Sequence, residues 1–389
     1  MLAACRSLSR GGYEVTAGSY TMFAAAKWSR ACARRVRIPD ARDDADRFVD
    51  GVRRELTRRS YATLIAGSDS ALLALSRGRA QVSVLTKLGL PSHEVVARAL
   101  SRESLAEAAE RAGFAPSVSI RAGGLEQALA AARRLGFPVV LKSTEAASVG
   151  ARAVSGVPKG QIVFSEGELR RTASAFGERL LVQRWAGDEL ISLGGVMAGG
   201  GLLALAASRY QRMWPPRSGS VTFSESIEGP VELEAMTQRL LADIGWEGIF
   251  ELEVIRSQPQ AYVAIDLNPS PYGSMALATA AGAPLAAIWC DWLLGRDPHP
   301  ARARPGHRYR WEDGDIRHLA WQLRHGNLSA AMAPLRPRRA VTHAHFALTD
   351  PLPLLANGLY LGKRTAKQTR RADEPRRPAP SARDSSGRC

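Results

Sequence analysis

Apolar and polar positions in residues 1–98 alternate between helical and extended patterns about every 25–35 residues, the rhythm of a doubly wound α/β domain. Leu2 to Arg10 reads as a helix, and Tyr13 to Ala17 as a strand. Ala45 to Arg59 reads as an amphipathic helix whose Phe48, Val52 and Leu56 share one stripe. Ala62 to Ala66 is a short buried strand running into Gly67-Ser68-Asp69, which suits the carboxyl-end crevice where such sheets bind ligands. A domain of this kind normally opens with a strand and a glycine turn, whereas here the first element is a helix. The expectation is a sheet without its central strand, a gap with unpaired backbone groups, and a gain in stability from an upstream extension.

From Ser101 the pattern changes. Ser101, Ser104 and Glu107 mark a helix start, because a hydroxyl cap followed by acid satisfies free amide groups. Glu126 to Leu135 is a helix stopped by Gly136, and Phe137 to Lys142 is a strand that delivers a lysine into the small-residue loop Ser143 to Gly150. Leu180 to Trp185 is a strand, Ala186-Gly187-Asp188 a turn, and Glu189 to Leu193 the strand that follows. Arg209 and Arg212 end an apolar strand, where either can bind a carboxylate or acyl phosphate bidentately or merely form a solvated rim. Pro215 to Ser220 is a candidate cover loop. The Trp289-Cys290-Asp291-Trp292 stripe fits a core helix better than a ligand box. Four units result: an α/β domain at 1–98, an α+β domain at 99–300, a basic extension at 301–365 and a disordered tail at 366–389 rich in Arg, Pro and Ser.

The net charge of +16 raises the question of nucleic acid, but its distribution argues against that partner. Residues 301–389 contribute +11 (18 basic against 7 acidic residues), while the first 300 are nearly balanced at 35 against 30. The most apolar stretch, Gly194 to Ala207, carries five glycines and is shorter than the ~20 residues of a spanning helix, so no membrane span is predicted. Cysteines at 5, 32, 290 and 389 have no zinc or redox spacing, which fits a reducing cytoplasm.

The densest chemistry lies in Ile249 to Ile255, a turn at Gln258-Pro259, and Tyr262 to Pro269. Two strands joined by a short turn form a hairpin, and period two sets Glu251 with Glu253 on one face and Asp266 with Asn268 on one face of the partner. Three carboxylates and an amide are hard oxygen donors of the kind that hold Mg²⁺, or Mn²⁺, together with substrate phosphates. The same pattern also describes a solvent-facing acidic hairpin.

Asp266-Leu267-Asn268-Pro269 at a strand end, Glu253 thirteen positions earlier, Lys142 ending Phe-Pro-Val-Val-Leu-Lys, and Glu189 after Leu-Leu-Val-Gln-Arg-Trp together resemble the ATP-grasp superfamily, in the expected order over about residues 1–300. The resemblance implies two α+β lobes clamping ATP, preceded by an α/β domain. It implies that Lys142 meets the α- and β-phosphates and that Gln183 and Ala186 read adenine through their backbones. Glu189 would hold the ribose, while Glu253, Asp266 and Asn268 hold Mg²⁺, with Glu251 a weaker candidate ligand. Arg102 stands where members often carry a lysine, Ser270 where they often carry an arginine, and the phosphate loop has a single glycine and an acid, Glu145. The implied activity is an ATP- and Mg²⁺-dependent ligase that activates a small-molecule carboxylate as an acyl phosphate for attack by an amine or similar nucleophile. Lys142 and Arg209 would shield the developing charge. The alternatives are a nucleotide-binding homologue with weakened catalysis and a nucleic-acid-binding protein using the basic C-terminal segment.

Overall fold

The computed structural model describes residues 1–143, 160–177, 179–216, 219–258 and 260–373. The chain begins with the helix Leu2–Arg10, whose Leu2, Ala4 and Cys5 are buried. Four short strands follow: β1 (Thr16–Ser19), β2 (Arg34–Arg37), β3 (Thr63–Leu64) and β4 (Lys87–Leu88). They form two separate parallel pairs, β1 with β2 and β3 with β4, rather than one continuous sheet. The helix Ala45–Arg58 is capped by the Asp44 side chain, which accepts from Arg47 N–H, and it buries Val49, Val52 and Leu56.

A small lobe comes next. β5 (Ser119–Gly123), β6 (Val139–Ser143), β7 (Gln161–Val163) and β8 (Arg179–Arg184) make an antiparallel sheet in the order β5-β8-β6-β7. The helix Leu125–Leu135 covers one face, burying Leu129 and Ala132 against Leu141, Val163 and Val182. Gly136 ends it at φ +79, a conformation that costs glycine little and aims the chain into β6. Lys142 therefore arrives at the end of a central strand.

The large lobe is one eight-stranded sheet. β9 (Glu189–Ala198) and β10 (Gly201–Trp214) form a long hairpin, and β11 (Ser220–Ile227) extends it on one side. On the other side β12 (Gly248–Gln258) pairs with β9, and β13 (Ala261–Asn268) pairs with β12. Ile191, Leu193, Leu252 and Val254 face a core that includes Leu240 and Ile244 of the helix Val231–Ile244 and Val52, Leu72 and Val96 from the first 98 residues. That shared core fixes the N-terminal unit to the back of the large sheet. On the opposite sheet face Val196, Ala204, Ala206 and Ile249 pack against Ala4, Met275, Ala286 and Trp289, and the part of that face carrying Glu251 and Glu253 is left to the cleft.

Residues 301–365 are not an appended extension. β14 (Ala301–Arg302) pairs with β10, β15 (Arg308–Arg310) with β11, and β16 (Val341–His343) with β15, so this segment completes the large sheet. Tyr309 packs with Val221 and Leu277, while its neighbours Arg308 and Arg310 meet Glu225 and Asp315. The expected disordered tail starts as helix, since Leu352–Asp373 runs through Ala366. Residues 374–389 lie outside the described residues. Trp289 and Cys290 are core residues of the helix Leu285–Leu293, as their stripe suggests. No helix among the described residues is long and apolar enough to cross a membrane.

Candidate active site

A cleft of about 760 Å³ separates the lobes. Its floor is the hairpin β12–β13, where Glu253 lies directly across from Asp266 and Glu251 across from Asn268. All four side chains line the cleft, because residues two apart on a strand share a face. Glu251 is the most enclosed, at 4% exposure. One of its oxygens accepts from Ser192 Oγ (2.8 Å), Ser274 Oγ (3.1 Å) and Tyr210 Oη (3.3 Å), and the other from Asn268 Nδ2 (3.1 Å). Burial raises its pKa, and those donors oppose the shift. Glu251 thus anchors the floor, whereas Glu253, which accepts from Tyr210 Oη at 2.8 Å, and Asp266 present the carboxylates of the cross-strand pair. Burial and the charges of Glu251 and Glu253 raise the Tyr210 phenol far above its ordinary value, so it stays a proton donor.

Opposite the floor stands Lys142. Burial, and then the nearby Arg102 guanidinium, lower its ammonium to about 8, against the pull of Asp266 and Glu253. Arg102 lines the same cleft from the first turn of the helix Arg102–Ala112, which Ser101 caps by accepting from Ser104 N–H at 3.2 Å. Gln183 and Ala186 lie where the lobes join. The Gln183 side chain donates to Ser117 Oγ, and Ala186 N–H makes no hydrogen bond among the described residues.

Two expected site residues are elsewhere. Glu189 shares the face of Ile191 and Leu193, turned from the cleft, and lies 3.7 Å from both Arg209 and Arg256. Arg209 is its partner on the neighbouring strand. Each therefore pairs with the other rather than with the cleft, which corrects the expected ribose contact and the expected catalytic arginine. Of the two β10 arginines it is Arg212 that lines the cleft, beside register shifts on β10 between Tyr210 and Arg212 and between Arg212 and Met213. Of the cover loop, Pro216, Gly219 and Ser220 line the cleft, while Arg217 and Ser218 lie outside the described residues, as does the phosphate loop from Thr144 to Gly150 with Glu145.

Sequence reasoning missed Tyr210, Ser192 and Ser274, which orient the acids from three different elements. It also missed Asp315, His318 and Gln322, although their spacing on one helix stripe was readable.

Among the described residues no three His, Cys, Asp or Glu side chains gather closely enough to form a metal cage. The donor set still fits Mg²⁺, an ion usually held by one or two carboxylates together with substrate phosphates.

Two lobes, one built on an antiparallel sheet and one on a mainly antiparallel sheet, closing on a cleft with a strand-end lysine facing an acidic hairpin, define the ATP-grasp fold. The chain is similar to the ADP complex of an N5-carboxyaminoimidazole ribonucleotide synthetase, with 14% identity, 84% of this chain and 82% of that chain covered, and a TM-score of 0.60. The enzyme of that name from Thermus thermophilus gives 16% identity, 79% coverage of each chain and a TM-score of 0.56. Biotin carboxylase from Campylobacter jejuni, in a complex with β-γ-ATP, gives 16%, 76% of this chain, 69% of that chain and 0.55. At such identities the likeness establishes the fold. No protein-family model matches the chain, and no curated protein matches it.

Proposed function

We propose that this protein is an ATP- and Mg²⁺-dependent ligase that activates a small-molecule carboxylate as an acyl phosphate, which an amine or similar nucleophile then attacks. One observation carries the reading: the cross-strand pair Glu253 and Asp266 faces Lys142 across a cleft in a chain with the ATP-grasp fold. Lys142 binds the phosphates as a positive point charge, with Arg102 beside it. Glu253, Asp266 and the Asn268 amide oxygen would hold Mg²⁺, which when bound neutralises phosphate charge. Tyr210 keeps Glu253 aimed at the cleft, and Gln183 and Ala186 read adenine through the backbone. Positioning and fixed charge supply the acceleration, so no protein nucleophile is required. ATP as co-substrate is consistent with a cytoplasmic setting.

A second reading is a nucleotide-binding protein with weakened turnover. It is favoured by Ser270, a buried residue of the cleft wall where the resemblance leads one to expect an arginine. Of the basic residues behind the nucleic-acid reading, Arg308 and Arg310 are paired with Glu225 and Asp315. ADP release with Mg²⁺-ATP across a panel of carboxylates and amines, with Lys142→Ala as the blank, tests the proposal. Release that depends on a carboxylate and is lost in the variant upholds it, whereas nucleotide binding without release under any pair selects the second reading.

A further inference from the structure

The helix Glu312–Arg324 is built inside out. Its buried positions are Gly314, Asp315, His318 and Gln322, while Ile316 is 67% and Leu323 is 48% exposed. A surface helix ordinarily buries its apolar stripe, and burying polar groups is unfavourable unless they are bonded. Here the polar stripe faces the cleft, which His318, Gln322 and the preceding Trp311 all line.

On that wall two guanidiniums meet one carboxylate. Arg212 donates to Asp315 through Nε (3.1 Å) and Nη2 (2.7 Å), and Arg310 Nε lies 3.2 Å from the same carboxylate. Both guanidiniums also sit over the Phe223 ring, at 4.4 and 5.5 Å. Two cations share one anion in a place where the three side chains are 12%, 21% and 6% exposed. An excess positive charge shielded from water strengthens any anion contact it makes. Of this group it is Arg212 that reaches the cleft, and its Nη1 makes no bond to Asp315. Arg212 stands two positions along β10 from Tyr210, or roughly 7 Å at the rise of a strand, and Tyr210 is bonded to Glu253. An oxyanion on Arg212 would therefore lie beside the proposed phosphoryl-transfer site.

Hydrogen-bonding groups continue from there. His318 Nδ1 meets Met213 O at 3.3 Å, and Gln322 Nε2 meets His318 Nε2 at 3.2 Å, which leaves the amide oxygen of Gln322 for a ligand N–H or O–H. A network serving only to tie the helix to β10 would be sealed, whereas this one opens on the cleft.

We infer that Arg212 and Gln322, the latter positioned by His318, form the binding site of the second substrate, a small molecule bearing a planar carboxylate at one end and a hydrogen-bond donor at the other. Arg212 takes the carboxylate, which supplies from β10 the positive charge that Ser270 does not. This inference rests on the ligase reading above and names the substrate class for it.

The test uses the full chain with Mg²⁺ and a non-hydrolysable ATP analogue, whose thermal stabilisation reports the nucleotide site alone. The probes are the amino acids, small dicarboxylates and bicarbonate, with binding read by saturation-transfer NMR and turnover by ADP release. For the tightest organic probe, Arg212→Gln is expected to weaken Kd at least about tenfold and Gln322→Leu about threefold or more. KM should rise more than kcat falls, with nucleotide stabilisation at the wild-type value, and Arg212→Lys should fall between, since it keeps the charge and loses the fork. If Arg212→Gln does not fold, Gln322→Leu decides. Unchanged Kd in a folded Gln322→Leu, an equal loss of nucleotide stabilisation, or binding of bicarbonate alone overturns the assignment. Failure of every probe on a protein that the nucleotide stabilises also overturns it, while leaving nucleotide binding intact. Absence of nucleotide stabilisation in the wild type refutes the ligase reading itself, and carboxylate binding is then still decided by the same variants.

Discussion

The floor and the roof of the cleft both carry charge, but they hold it in different ways. On the floor, Glu251 is fixed by Ser192, Ser274, Tyr210 and Asn268, and Tyr210 extends that network to Glu253. Glu251 and Glu253 are oriented before any ligand arrives. On the roof, Lys142 makes no ion pair among the described residues, and the charges that favour its protonated form, Asp266 and Glu253, lie across the gap. A preorganised anion site and a cation whose partner is elsewhere are the two halves of a clamp, one rigid and one completed by what it holds.

The largest effect should come from breaking the floor. Glu253→Gln or Asp266→Asn is expected to lower kcat/KM for carboxylate-dependent ADP release by about 10²–10³-fold, the usual scale for removing one electrostatic stabiliser. Circular dichroism should stay native, and wild-type rates in either variant would mean that the acids are merely a solvated face. Removing the roof charge is a smaller change. Lys142→Ala should weaken Mg²⁺-ATP binding about 10–100-fold by calorimetry, the range for hydrogen bonds to charged groups, with the melting temperature little changed.

Titrating the roof is gentler still. Because the Lys142 ammonium is lowered to about 8, nucleotide affinity in the wild type should decline as pH rises through that value, with proton uptake on binding. Lys142→Ala should abolish both. The linkage runs the other way for the empty fold. Between about pH 8 and the ordinary lysine value the unfolded chain holds the proton and the folded chain does not, so the contribution of Lys142 to stability rises with pH.

Loosening the network should cost stability more than specificity. Glu251→Gln points an amide donor at the hydroxyl donors around it, for an expected loss of about 1–3 kcal/mol in denaturant unfolding. The smallest effect is expected outside the cleft. Arg209 is half exposed and 3.7 Å from Glu189, so Arg209→Ala should change stability by less than about 1 kcal/mol and leave ADP release at the wild-type rate. A large rate loss there would return Arg209 to the cleft.

Local spacing in the sequence determined a good deal. Period two set Glu251 with Glu253 and Asp266 with Asn268, whereas their pairing across the hairpin also depends on two compensating register shifts between the turn and the acids. Ser101 and Gly136 bounded helices through cap chemistry alone, and Val52 and Leu56 marked a buried stripe. Tertiary structure decided the rest, because the missing information was non-local. Whether Glu189 faces the cleft or the back of the sheet depends on the register of β9 against β12, where it pairs with Arg256. The three-residue strands β15 and β16 are too short to carry a pattern; β15 is held by β11 more than 80 residues away, as Arg308 is by Glu225, and β16 only by β15. The helix Glu312–Arg324 reads backwards by composition, since a cleft rather than a core lies on its buried side. Only the folded chain brings Arg212 of β10 to Asp315 of that helix, and so makes a polar wall from residues 103 positions apart.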